Sequence, residues 1–271
     1  MIHFSVLASS SAGNAALIEA AGQYFLVDAG ISARRIIGCL SRFDLTLDDL
    51  SAVFVTHEHG DHIKGLDQIS RRISVKTYCT RYTGLEIREK APGVSCRFFE
   101  PGRTFELGAL RVTPFEVSHD AVDPVGFRFD CGEASLGWLT DTGSITRRIP
   151  EYLSGVDALY LESNYNPHLL AANPKRPRHL KQRIASAQGH LSNEQACELV
   201  EKMEHSRLEH LVLAHLSRDC NTPALACEAM RQTLDRLGRR VELLCASPDE
   251  SLPWIEVAPP ALFCHDADVL L

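Results

Sequence analysis

The residues best suited to chemistry lie in Thr56-His57-Glu58-His59-Gly60-Asp61-His62, where three imidazoles and the Asp61 carboxylate crowd into six positions. His and Asp are ligands that suit zinc, manganese or iron, and the lack of a neighbouring Cys argues against a thiolate structural zinc site. His57 and His59, two apart, can reach one metal from an extended turn. Asp61 and His62 project in another direction, so the stretch addresses two centres. Two metals roughly 3.5–4 Å apart would hold a bridging hydroxide as nucleophile and offset the charge of an anionic transition state.

Such a cluster has to be presented by something rigid. Ala52-Val53-Phe54-Val55 reads as a buried strand that delivers it. The same pattern recurs: Asp28, His119, Asp141, Glu162 and His215 each follow an apolar, strand-like run. If those runs share one or two sheets, their polar ends gather along one edge, where layered α/β folds place their sites. Glu162 is read as structural support. Helices are expected over 32–43, over 62–72 with Asp61 as N-cap, and after Thr222-Pro223. Another is expected where Ser192 and Gln195 form a capping-box pattern ahead of Ala196, Leu199, Val200 and Met203; His190 stands two residues before that cap. Residues 166–189 hold three prolines and little periodicity, which predicts a long loop, a feature uncommon without a function.

The 271 residues, 45% of them hydrophobic, suffice for one sizeable core, and a hydrolase domain over 1–258 with a tail at 259–271 is expected. Nine scattered cysteines, nowhere spaced as C-x-x-C, point to reduced thiols in a cytoplasmic protein. No run nears the roughly 18 apolar residues of a membrane span, and Met1 to Glu19 lacks a signal-peptide pattern. The net charge of -7 speaks against nucleic acid, but its distribution speaks for it. From Ser163 to Asn193 there is no Asp or Glu, while Lys175, Arg176, Arg178, Lys181 and Arg183 are all basic. Such a patch can bind phosphate on an otherwise acidic body.

The cluster and the spaced residues after it resemble the metallo-β-lactamase superfamily over nearly the whole chain: Asp28, then His57-Glu58-His59-Gly60-Asp61-His62, His119, Asp141 and His215 match its five motifs in order. The resemblance implies an α/β fold, a four-layer αββα sandwich. It implies that His57, His59 and His119 hold one divalent ion, that Asp61, His62 and His215 hold the other, that Asp141 bridges them, and that Asp28 orients a ligand from behind. Leu7 to Asn14, Ser118-His119-Asp120-Ala121, Leu161 to Asn164, Gly189 to Asn193 and His215-Leu216-Ser217 look like the YycJ (WalJ) branch, which is bacterial and associated with 5′ to 3′ exonuclease activity on DNA. The branch is similar to ribonuclease Z, whose general acid precedes the penultimate helix as His190 does here. Departures are Ser10, where a glycine is usual, and Asp219-Cys220-Asn221 after the last ligand. The implied chemistry is phosphodiester hydrolysis with Asp61 and His190 catalytic and Ser10, Ser11, Asn14, Lys175, Arg176 and Arg178 on the substrate. An RNA-processing endonuclease and a small-molecule thioester, lactone or β-lactam hydrolase are the competing functions on the same ligand set.

Overall fold

Apolar runs separated by short polar turns fold into two mixed sheets, seen in a computed structural model that describes residues 1–258. The expected tail, 259–271, lies outside the described residues. The first sheet takes β1 (Ile2–Ala8), β2 (Ala15–Ala20), β3 (Gln23–Val27), β4 (Leu50–Phe54), β5 (Lys76–Thr80) and β6 (Ser95–Phe99). The second takes β7 (Phe105–Leu107), β8 (Leu110–Glu116), β9 (Val125–Cys131), β10 (Ala134–Leu139), β11 (Ala158–Glu162), β12 (His210–Ala214) and β13 (Glu242–Cys245). The last strand among the described residues, β14 (Ile255–Val257), returns to pair with β1, so the orders are β14-β1-β2-β3-β4-β5-β6 and β13-β12-β11-β10-β9-β8-β7.

The helices are α1 (Ala33–Leu40), α2 (Gly60–Ile63), α3 (Leu66–Ser70), α4 (Arg81–Lys90), α5 (Arg148–Leu153), α6 (Pro167–Ala172), α7 (Arg178–Ile184), α8 (Asn193–Lys202) and α9 (Pro223–Arg236). Inner faces of both sheets meet in one core in which Phe54 packs against Phe129 at 5.4 Å and Phe4 against Trp138 at 6.5 Å between ring centroids. A second core lies between the first sheet and α1, α3 and α4, and a third between the second sheet and α5, α8 and α9. The layers therefore run helix, sheet, sheet, helix, as expected. Each fully buried Phe or Leu contributes about 1.5–3 kcal/mol of transfer free energy.

Strand direction does the positioning. β3 and β4 are parallel, as are β10, β11 and β12, so their carboxyl ends share one edge. β8 runs antiparallel to β9 and β9 antiparallel to β10, which makes β8 parallel to β10 and brings the segment beyond Glu116 to that edge as well. By the same alternation β1 runs with β3, and the Ser9–Asn14 turn joins the group.

Two expectations are corrected. The helix predicted over 62–72 is broken: His59, not Asp61, takes the N-cap position of α2, and the chain bends at Gly65 before α3. Gly65 N–H donates to Ala29 O at 2.7 Å, and a Cβ at Gly65 would lie 2.4 Å from Ile31 O, so close packing on that loop forces the bend. The Asp61 carboxylate is thereby free of capping. The 166–189 segment is not a loop throughout, because α6 and α7 lie within it. Pro167 is the first residue of α6, where its missing N–H costs nothing, and the Asn166 side chain caps that helix by accepting from His168 and Leu169 N–H at 3.0 and 3.1 Å. Tyr165, Leu170, Ile184 and Cys220 form a small core beneath.

Candidate metal centre

At the shared edge the strands stop and the backbone turns sharply. Asp28, Asp141 and His215, each just past a strand, adopt left-handed φ values of 58°, 52° and 54°. That conformation costs a non-glycine residue about 1 kcal/mol or more and persists only where the surroundings hold it. Its effect is to swing each side chain off the pleat and into the space between the two sheet ends.

There the imidazoles are held from behind. Asp28 Oδ2 lies 2.8 Å from His62 Nδ1, and its Oδ1 accepts the Thr56 N–H at 2.9 Å. Gly189 O lies 2.9 Å from His119 Nδ1, Glu162 Oε1 3.2 Å from His215 Nδ1, and Thr56 Oγ1 3.0 Å from His57 Nδ1. With Nδ1 occupied, Nε2 is the nitrogen each ring presents to the centre. Among the described residues, Nε2 of His57 and of His215 is buried with no hydrogen-bond partner. Leaving such atoms unpaired is costly, and a cation would satisfy both.

Donor atoms of His57, His59 and His119 lie within 4.8 Å of one another, and so do those of Asp61, His62 and His215. Asp141 stands between the two groups: its Oδ2 is 3.1 Å from His62 Nε2, and its Oδ1 is 3.4 Å from His215 Nε2 and 3.7 Å from His119 Nε2. The donor set fits two divalent ions of borderline or hard character, with nitrogen and carboxylate oxygen and no sulfur.

Electrostatics point the same way. Burial lowers the basicity of His62, but Asp28 and Asp141 overcome it and hold its pKa well above the imidazole range. Burial opposes His215 too, yet Asp141, Asp61 and Glu162 push it up to about 10. Burial, and then His62, keep His57 well below its ordinary value. Burial would raise Asp141, but His215 and His62 hold it far below the carboxylate range. The carboxylates thus demand positive charge at the ring nitrogens facing them. Protons or metal ions can supply it, and metal binding would release those protons.

Of the residues singled out beyond the ligands, His190 lies at the rim, one-fifth exposed, with Nδ1 2.7 Å from Glu162 Oε1 and 3.5 Å from Asp141 Oδ1. Ser10 and Asn14 are buried and tied to each other: Asn14 Nδ2 donates to Ser10 O at 3.0 Å, and Asn14 Oδ1 accepts the Ser10 N–H at 3.1 Å. Ser11 is exposed and lines a cavity of about 170 Å³ with His190, Asn164, Arg176, Arg183 and Ser217. Arg176 lies 3.6 Å and Lys175 3.5 Å from Asp219, whereas Lys175 and Arg178 are exposed and do not line that cavity.

Two residues carry more than their sequence context suggested. Glu162 is wholly buried, contacts both His190 and His215, and accepts the Thr142 N–H at 3.0 Å. Its signal was present, a carboxylate at the end of an apolar strand. Arg183, one of several basic residues, bonds to the Asp120 carboxylate beside His119. No spacing pattern separates it from its neighbours.

Comparison with known proteins accords with this geometry. A family model described as a beta-lactamase superfamily domain matches residues 23–216. The exodeoxyribonuclease WalJ of Streptococcus pneumoniae serotype 2 is 33% identical over 263 residues, 94% of this chain and 97% of that protein. The exodeoxyribonuclease YycJ of Bacillus anthracis is 34% identical over 240 residues, 88% of this chain and 90% of that one. Among solved structures, the metallo-beta-lactamase fold protein YhfI from Bacillus subtilis superimposes with a TM-score of 0.71 at 16% identity, over 93% of this chain and 100% of that one. Zn(2+)-bound PqqB from Methylobacterium extorquens gives 0.72 at 16% identity, over 93% and 99%.

Proposed function

Since the chain belongs to the beta-lactamase superfamily, we propose that it is a two-metal phosphodiesterase of nucleic acid that degrades DNA from a 5′ end. The observation that carries the chemistry is the set of inward-facing imidazole nitrogens grouped as His57, His59, His119 and as His62, His215 with Asp61, with Asp141 between them. The names of relatives matched along nearly their whole length support DNA as the polymer.

When bound, zinc, manganese or iron would supply Lewis acidity, lowering the pKa of water and offsetting charge on the phosphate. Everything else falls to the chain. Asp28, Glu162, Thr56 and the Gly189 carbonyl fix the ring orientations, so little reorganisation is needed during reaction. Hydrolysis breaks one P–O bond, and the departing oxygen needs a proton. His190 is the group at hand: Nδ1 is engaged by Glu162, which leaves Nε2 to donate. Ser11, Arg176 and Arg183 line the cavity next to His190 and would hold a phosphate, with contacts to backbone rather than bases.

The test is a 5′-labelled DNA duplex incubated with Mn²⁺ or Zn²⁺. Metal-dependent release of nucleotides that Asp141→Ala abolishes is the expected result. No release, or equal release by wild type and Asp141→Ala, overturns the proposal; cleavage of a structured RNA alone would move the activity to RNA processing.

A further inference from the structure

Among the described residues, exposed large apolar side chains away from the proposed ligands are few, and three of them concern α4: Tyr82 and Leu85 on the helix and Phe98 of β6, 41% exposed, beside it. Alternation along β6, the outermost strand of its sheet, puts Phe99 in the core and turns Phe98 outward. The ring does not simply dangle. A Cβ at Gly84 would lie 2.5 Å from Phe98 Cε1, so a side chain at this mid-helix position would displace the ring from its place against the helix. Glycine there costs about 1 kcal/mol relative to alanine. Arg81 and Arg88, three and four positions to either side of Gly84, set their guanidinium carbons 5.6 and 5.5 Å from the ring centroid.

The same helix is tied to the metal loops. Thr80 and Thr83 hydroxyls donate to Asp123 O at 3.2 and 3.4 Å, on the loop that follows His119. Lys90 Nζ donates to Glu58 O at 3.0 Å, between His57 and His59, and Glu58 Oε1 accepts the Val122 N–H at 2.9 Å. A groove of about 590 Å³ containing Asp61, Lys64 and Lys90 joins the centre to the carboxyl end of α4.

An exposed aromatic ring with two guanidiniums over it, on a helix whose carboxyl end the groove reaches, has the chemistry of a stacking platform for unpaired bases, with the cations available to their phosphates. A duplex, whose bases stack on each other, has no use for it. We propose that Phe98, with Arg81 and Arg88, binds a single-stranded stretch of the nucleic-acid substrate. This inference rests on the phosphodiesterase reading above. The flanking positive charge favours nucleic acid over a protein partner.

The probe is a 3′-fluorescein thymidine oligonucleotide about 15 nucleotides long, with phosphorothioate linkages that resist hydrolysis, titrated with the Mn²⁺-loaded protein and followed by anisotropy. Phe98→Ala is expected to raise Kd roughly 5- to 10-fold and Phe98→Tyr to leave it near wild type. The Arg81→Gln, Arg88→Gln double variant is expected to weaken binding and lower the salt slope by about 0.7 per charge. Arg240→Gln, exposed beside β13 in the other sheet, controls for net charge. Wild-type affinity in Phe98→Ala, or in the double arginine variant should Phe98→Ala not fold, overturns the inference and leaves the platform to a protein partner. A wild-type protein that neither binds the oligonucleotide nor releases nucleotides from the 5′-labelled duplex fails the phosphodiesterase reading instead.

Discussion

The metal floor and the basic shelf of residues 166–189 meet at His190 but are built on opposite principles. On the floor His57, His62, Asp141 and His215 are all but inaccessible, and the rings of His57, His62 and His215 are each held by a partner behind them. On the shelf Lys175 and Arg178 are exposed, Arg176 leans on Asp219, and Arg183 reaches Asp120 from a helix of two turns. The floor fixes geometry, which a cation and a transition state need to within fractions of an ångström. The shelf supplies field, which falls off slowly and tolerates imprecision. Changes on the floor should therefore alter rate, and changes on the shelf should alter affinity.

The largest effect should come from removing the ions. A chelator is expected to abolish hydrolysis and to lower the melting temperature, because the ions would bind the assembled donor set of the folded chain and not the unfolded one; nucleotide release and scanning calorimetry with and without added Mn²⁺ measure the two. Next, His190→Ala should reduce kcat by roughly 10²–10⁴-fold while leaving bound metal, counted by mass spectrometry, unchanged. An equal loss of metal would show that His190 belongs to the floor. Glu162→Gln is expected to cost about 10–100-fold, since it loosens His190 and His215 together. The part of the Glu162→Gln loss that runs through His190 should vanish in a His190→Ala background, so the double variant should exceed His190→Ala only by the part that runs through His215. The smallest effect belongs to the shelf: Arg176→Gln should raise KM several-fold, keep kcat and lower the salt slope of binding by about 1. A fall in kcat with unchanged KM would erase the distinction between the two regions.

The floor was more legible than the shelf, for a physical reason. Each candidate ligand, or the cluster that contains it, follows an apolar run, and a buried strand advertises itself through its composition whichever sheet it joins. Parallel pairing then places strand ends together without further instruction. The shelf helices are short, start at Asn166-Pro167 and at Pro177, and rest on a small core completed by distant Cys220. Prolines that begin helices look, in isolation, like prolines that interrupt them. Glu162 was visible as a strand-end carboxylate, but its hold on two histidines depends on residues 28 and 53 positions away. Gly65 breaks the helix after the cluster because of Ala29 and Ile31, which no local propensity registers.

By itself, then, the sequence determined which side chains have the chemistry of metal ligands and that they follow apolar, strand-like runs, since residue chemistry and apolar periodicity are local properties. Only the tertiary structure decided that Nδ1 of each held ring is spoken for and Nε2 turned inward, that Asp28, Asp141 and His215 leave their strands with left-handed backbone, and that Phe98 rests on Gly84 between two arginines. Those are relations between distant segments, set when two sheets pack face to face and their ends are brought to one edge.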